Sequence, residues 1–144
     1  MSDPSLAVQK ALRARLIATA AVTALVPAGS ILDHNHRPAP DPSIILGEDQ
    51  VVDAKLTLQR DYVRIFSTVH LWKKEPSLVG VKTISGAIRQ AIGNTQFLDL
   101  ADAHFSCTDC RVESIRFLRD RGGELSHGVM VIESLVQQQR SMSQ

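Results

Sequence analysis

Between Tyr62 and Trp72 apolar and polar positions alternate, with Val63, Ile65, Val69 and Leu71 on one face and Tyr62, Arg64, Phe66, Thr68, His70 and Trp72 on the other. A period of two is the period of a strand, and the pattern predicts an extended stretch over residues 57–72. Past residues 73–77 the step changes. Leu78, Val81, Ile84, Ile88 and Ile92 recur every three or four positions and so line one side of a helix. Neither element buries its apolar face alone, so a helix laid back across the sheet that holds this strand is the expected folding centre.

Toward the N-terminus, Asp3-Pro4 reads as a helix start: a carboxylate that accepts from exposed backbone N–H groups, then a residue whose fixed φ suits the first turn. Val8, Leu12 and Leu16 repeat every four residues, predicting a first helix over 4–18, and a second short turn follows from Ala20 to Leu25, ended by Pro27 and Gly29. Residues 33–43 contain three prolines and almost no large apolar side chain, so they are expected as an exposed loop. Ile44-Ile45-Leu46 reads as a short strand closed by Gly47-Glu48-Asp49, with residues 50–56 as loop.

After the central helix, Gly93-Asn94 is the expected stop. Phe97 to Leu100 reads either as a short strand or as a turn of helix. Alternation then returns, with Phe105, Cys107, Ile115 and Phe117 on one side and Val112 and Leu118 on the other. Asp120-Arg121-Gly122-Gly123 makes a bend, and a return strand over 125–136 sets Val129, Val131 and Leu135 one way and Met130 and Ile132 the other. Residues 137–144 read as a frayed tail, as do 1–3. The predicted fold class is α+β, one domain over 1–144: an antiparallel sheet of about four strands with a long C-terminal hairpin and two main helices on one face. Val112, Leu118, Met130 and Ile132 are assigned to the hairpin's outer face, an apolar surface suited to another subunit.

Composition narrows the function classes. The 144 residues suffice for a core without disulfides or metal, and 44% hydrophobic content excludes disorder along most of the chain. Sixteen basic against fifteen acidic residues give a net charge of +1, which lends no support to a polyanion binder. No apolar run approaches the ~20 residues of a membrane span, and Lys10, Arg13 and Arg15 interrupt any N-terminal secretory segment, so the protein is expected to stay in a reducing cytosol.

Two constellations invite chemistry. Cys107 and Cys110 with His104 resemble half a zinc site, but a structural zinc needs four ligands, and in a regular strand i and i+3 point to opposite faces unless a bulge intervenes. His34 and His36 with Asp33 and Asp41 suit a divalent cation, yet a histidine pair in an exposed loop is more often simply solvated. No nucleophile elbow or phosphate loop is present. The expectation is therefore no catalytic residue, no metal and no cofactor. A small thiol- or metal-dependent enzyme and a nucleic-acid-binding module using Arg64, Arg111, Arg116 and Arg119 stand as alternatives. Trp72, the single tryptophan, reads as core edge or as an interface anchor.

Several stretches resemble the tail terminator or head-to-tail joining (tail completion) proteins of tailed phages, prophages and gene transfer agents, the alphaproteobacterial gene transfer agent type above all. They are the opening helix Ser5-Leu6-Ala7-Val8-Gln9-Lys10-Ala11-Leu12, Ile44-Ile45-Leu46-Gly47-Glu48, Val69-His70-Leu71-Trp72 with Leu78-Val79-Gly80-Val81-Lys82, Arg111-Val112-Glu113, Arg116-Phe117-Leu118-Arg119-Asp120 and Ser126-His127-Gly128-Val129. The resemblance implies a structural protein, not an enzyme, that closes into a ring, usually a hexamer, on the end of the tail tube. It would end tail polymerisation and meet the head connector at the head-tail junction of the particle, while DNA passes through the lumen without sequence-specific binding. Ring contacts are then expected from Val112, Leu118, Met130, Ile132 and Trp72. Tube or connector contacts are expected from His34, His36, Arg37 and Asp41, and from Val51 and Val52.

Overall fold

The computed structural model describes residues 3–34, 39–93 and 98–139. His36, Arg37, the Asn94 half of the helix stop, Phe97 and the tail beyond Gln139 lie outside them. Helix α1 runs over Pro4–Ala18 with Asp3 as its cap, the carboxylate accepting from the Ser5 N–H at 2.9 Å, so Asp3 is tied down rather than frayed. Its stripe of Val8, Leu12 and Leu16 is fully buried. A short helix α2 (Ala20–Thr23) and a 3-10 turn (Ala28–Ser30) lead into strand β1 (Ile31–Leu32).

Strands β2 (Ser43–Asp53) and β3 (Tyr62–Lys74) form one hairpin; helix α3 (Val79–Gly93) follows, then β4 (Phe105–Arg119) and β5 (Leu125–Gln138) form a second. The sheet order is β1-β2-β3-β5-β4, with β1 parallel to β2 and every other pair antiparallel. The class is α+β as expected, with a fifth strand that makes the sheet mixed. Between β4 and β5, Gly122 and Gly123 take φ of 94° and 73°, which only glycine adopts without strain.

The inner face of β3 supplies Val63, Ile65, Ser67, Val69 and Leu71, all buried under the helices. Across the β3–β5 register these fall opposite Val136, Ser134, Ile132, Met130 and Gly128. Ser77 and Glu75 organise the start of α3. The Glu75 carboxylate accepts from the N–H groups of Gly80 (2.8 Å) and Val81 (3.1 Å) and from the Ser126 hydroxyl (2.6 Å), fastening the helix to β5.

Three expectations change. Residues 50–53 belong to β2, which continues past Gly47 through a register shift between Leu46 and Asp49, so the polar Gly47-Glu48-Asp49 marks a bulge and not a strand end. The central strand starts at Tyr62, and residues 57–61 are part of the connecting loop. Gln137 and Gln138 are in β5, where the Gln138 N–H donates to Asp61 O at 2.6 Å and the Gln139 N–H to His104 O at 2.7 Å.

Candidate assembly interface

Among the described residues the sheet has helices on one face only. The other face is built from alternate residues of three strands, placed by register: Trp72 opposite His127, His70 opposite Val129, Thr68 opposite Val131, Phe66 opposite Glu133 and Arg64 opposite Leu135. From β4, Leu118 lies opposite His127 and Arg116 opposite Val129. Most of these side chains are half-buried, shielding one another from water without any covering layer. Leu118, at 37% exposed, is the most open large apolar group among them.

Two polar devices are set into this apolar surface. In the first, Glu48 Oε1 stands 2.9 Å from His70 Nε2 and His70 Nδ1 stands 2.9 Å from His127 Nε2, so one proton network links β2, β3 and β5. The network is fitted to a glycine at the bulge: a Cβ on Gly47 would meet His70 Cδ2 at 3.0 Å, so glycine leaves the imidazole its place. Burial and the neighbouring His70 push the His127 pKa down to about 4, and the hydrogen bond from His70 holds the Glu48 carboxyl below its usual range. In the second, Glu133, only 6% exposed, is gripped by Arg64 at 2.9 Å and Arg111 at 3.2 Å. The arginines of this face are thereby partly committed within the subunit.

Several expected contacts are corrected. Met130 and Ile132 are fully buried against the helices and belong to the core, so the hairpin's outward residues are Val129, Val131 and Leu135. The period of two holds and the two faces are exchanged relative to expectation, because both faces of β5 are apolar. Val112 also turns inward, opposite Ile132, where it packs on the core. The cause is a pair of register shifts in β4, between Cys107 and Asp109 and between Val112 and Ser114, each adding a residue. Cys107 and Cys110 therefore share the inner face, where burial raises both thiol pKa values, that of Cys110 to about 11. A nucleophilic or metal-binding thiol needs the opposite shift.

Trp72 and Leu118 keep their outward places. Among the loop contacts, His34 is exposed and lies 3.1 Å from the Asp33 carboxylate. Asp41 accepts from the Lys74 N–H at 2.8 Å, which anchors the loop's return to the sheet. Val51 (41%) and Val52 (36%) are exposed on β2, and Leu58, at 98%, is an exposed apolar tip of the β2–β3 hairpin that the sequence pattern placed inside a strand. Among the described residues no group of three or more His, Cys, Asp or Glu is placed to hold a metal ion.

Residues 10–137 match the family model described as tail completion protein gp17. Among solved structures, a chain from the virion of a native gene transfer agent particle superposes with a TM-score of 0.77 at 17% identity, covering 92% of this chain and 96% of that one. The bacteriophage SPP1 gp17 protein superposes with a TM-score of 0.60 at 16% identity, covering 91% and 89%. At these identities the likeness is one of fold. No curated protein sequence matches the chain.

Proposed function

The chain belongs to the tail completion protein gp17 family, and on that premise we propose that residues 1–144 act as one tail-terminator domain that closes into a ring, a hexamer, on the finished tail tube. It is a structural tail-completion protein of the phage and gene transfer agent type, located in the particle at the tail end. The ring stops tube growth, offers a surface to the head connector and lets DNA pass through its lumen without reading sequence. Its mechanism is interfacial, with no bond made or broken.

The observation that carries this reading is the family match over residues 10–137. The helix-free sheet face supports it, because an uncovered surface of half-buried Phe66, Trp72, Val129 and Val131 is suited to burial in an assembly. Trp72 and Leu118 are the proposed subunit contacts. Val51, Val52 and the loop bearing His34, His36, Arg37 and Asp41 are the proposed contacts with the tube or connector proteins.

Particles assembled without this chain test the proposal. Electron microscopy is expected to show tails of uncontrolled length and heads without tails, both reversed when the chain is supplied in trans. Normal tails joined to heads in its absence would overturn the reading.

A further inference from the structure

The two edges of the sheet are unlike: among the described residues β2 is open over one stretch, and β4 is open along its length. Strand β1 pairs with β2 only at Ile44 and Ile45, so the outer edge of residues 47–53 has no neighbouring strand among the described residues, and every residue there is exposed. At the opposite edge, among the described residues, β4 pairs only with β5. Its two register shifts fall before Ser114, which leaves residues 114–119 as its longest uninterrupted run of regular ladder. Bulges and charges are the devices by which edge strands refuse indiscriminate pairing. Here they divide the edge of β4 and make residues 114–119 its longest regular stretch.

The open stretches are complementary in charge. Residues 47–53 hold Glu48, Asp49 and Asp53 with no lysine or arginine, and residues 114–119 hold Arg116 and Arg119 with no aspartate or glutamate. Lys82 of α3 adds a cation beside the second stretch, its Nζ 5.5 Å from the centre of the Phe117 ring. Both stretches also carry apolar side chains, Val51 and Val52 on one and Ile115, Phe117 and Leu118 on the other. Like charges set directly across a strand pair repel, so the acidic edge disfavours pairing with its own copy. An acidic edge meeting a basic one is a head-to-tail contact, which generates a ring if the rotation per subunit closes.

From this we infer that residues 47–53 of one subunit pair with residues 114–119 of a second copy of this chain, joining neighbouring sheets edge to edge. The inference rests on the ring reading above and names the strands that make the ring. It moves Val51 and Val52 from the tube or connector contacts to the contact between subunits, and leaves the loop bearing His34 and Asp41 for the tube or connector. It makes the interface salt-sensitive, because its ion pairs form at exposed positions.

Charge reversal tests it in the assembled particle. Asp49→Lys with Asp53→Lys, and separately Arg116→Glu with Arg119→Glu, are each expected to lower the number of completed tails at least tenfold. All four changes in one chain restore the attraction and are expected to restore completion. Full completion with either pair alone would overturn the edge contact, as would failure of the fourfold variant to recover while its thermal unfolding stays native. If a reversed chain fails to fold, Val52→Cys with Leu118→Cys decides, since Cys107 and Cys110 are buried. Oxidation of particles carrying it is expected to give a ladder of cross-linked subunits, and monomer alone would overturn the contact. Normal tails built by reversed chains sink only this inference, whereas normal tails built without the chain sink the tail-completion reading itself.

Discussion

His127 lies flat on the indole of Trp72, the ring centroids 3.7 Å apart and the planes 7° from parallel. The same imidazole meets His70 through its Nε2, with Arg116 of β4 and Asp120 of the bend acting on it, and Glu48 closing the network from β2. Burial, then the charge of His70, holds the native pKa near 4 against 6.5 when unfolded, with Asp120 pulling the other way. Between those values the unfolded chain binds more protons, so stability falls as the pH drops through that window. After allowance for solvent screening at a half-buried site, the loss between pH 7 and 4.5 is about 1–2 kcal/mol. Urea unfolding at the two pH values measures it, and His127→Gln is expected to flatten the difference.

Glu133 sits on the outer sheet face between two arginines of unequal exposure, Arg64 at 35% and Arg111 at 62%. Removing the better-buried partner costs more. Arg64→Ala is expected to destabilise by about 1–3 kcal/mol and Arg111→Ala by less. The double variant leaves a buried carboxylate unpaired and is expected to lose about 3–5 kcal/mol, more than the sum of the single losses. Chemical denaturation of the four proteins checks the ranking, and additive losses would contradict it.

Glu75 performs a capping role from outside α3. Its loss frees the N–H groups of Gly80 and Val81 together, while the Ser126 hydroxyl keeps the Lys73 carbonyl as acceptor at 3.0 Å. Glu75→Ala is expected to cost about 1–2 kcal/mol. Hydrogen exchange at the first turn of α3 is expected to quicken before that of β3, which separates local release of the helix end from global destabilisation.

The cysteines should be nearly inert in the native protein. With Cys110 raised to about 11 by burial, alkylation by iodoacetamide at pH 8 is expected to be at least ~100-fold slower than for an unfolded thiol. Mass spectrometry before and after denaturant measures the ratio. Rapid native labelling would show a thiol with chemistry of its own.

Local signals in the chain account for the helices. Asp3-Pro4 and the four-residue stripe of Val8, Leu12 and Leu16 specify α1 to the residue, and the period of Val81, Ile84, Ile88 and Ile92 specifies α3. The alternation in β3 carries over directly because its polar face is distinct from its apolar one. What stayed hidden depends on partners. Strand β1 has two residues and exists only through its pairing with Ile44 and Ile45. Gly47-Glu48 carries the composition of a turn yet continues a strand, and the two β4 bulges move Cys110 and Val112 to the face opposite the one a regular period assigns. In β5 both faces are apolar, so only the packing of the helices distinguishes Met130 from Val129. The Glu48–His70–His127 network was legible as three residue types and not as a site, since its geometry follows from register across three strands.

The extra residues in β4 bear on how such a chain can drift in length. Elsewhere in a strand, losing one position turns everything beyond it inside out. At Thr108, deletion would set Cys107 and Asp109 in consecutive places opposite Val136 and Leu135, which are already adjacent. Relatives shortened by one residue at that spot, or at Glu113 by the same logic, would retain an intact core and differ chiefly in how strongly the strand coils.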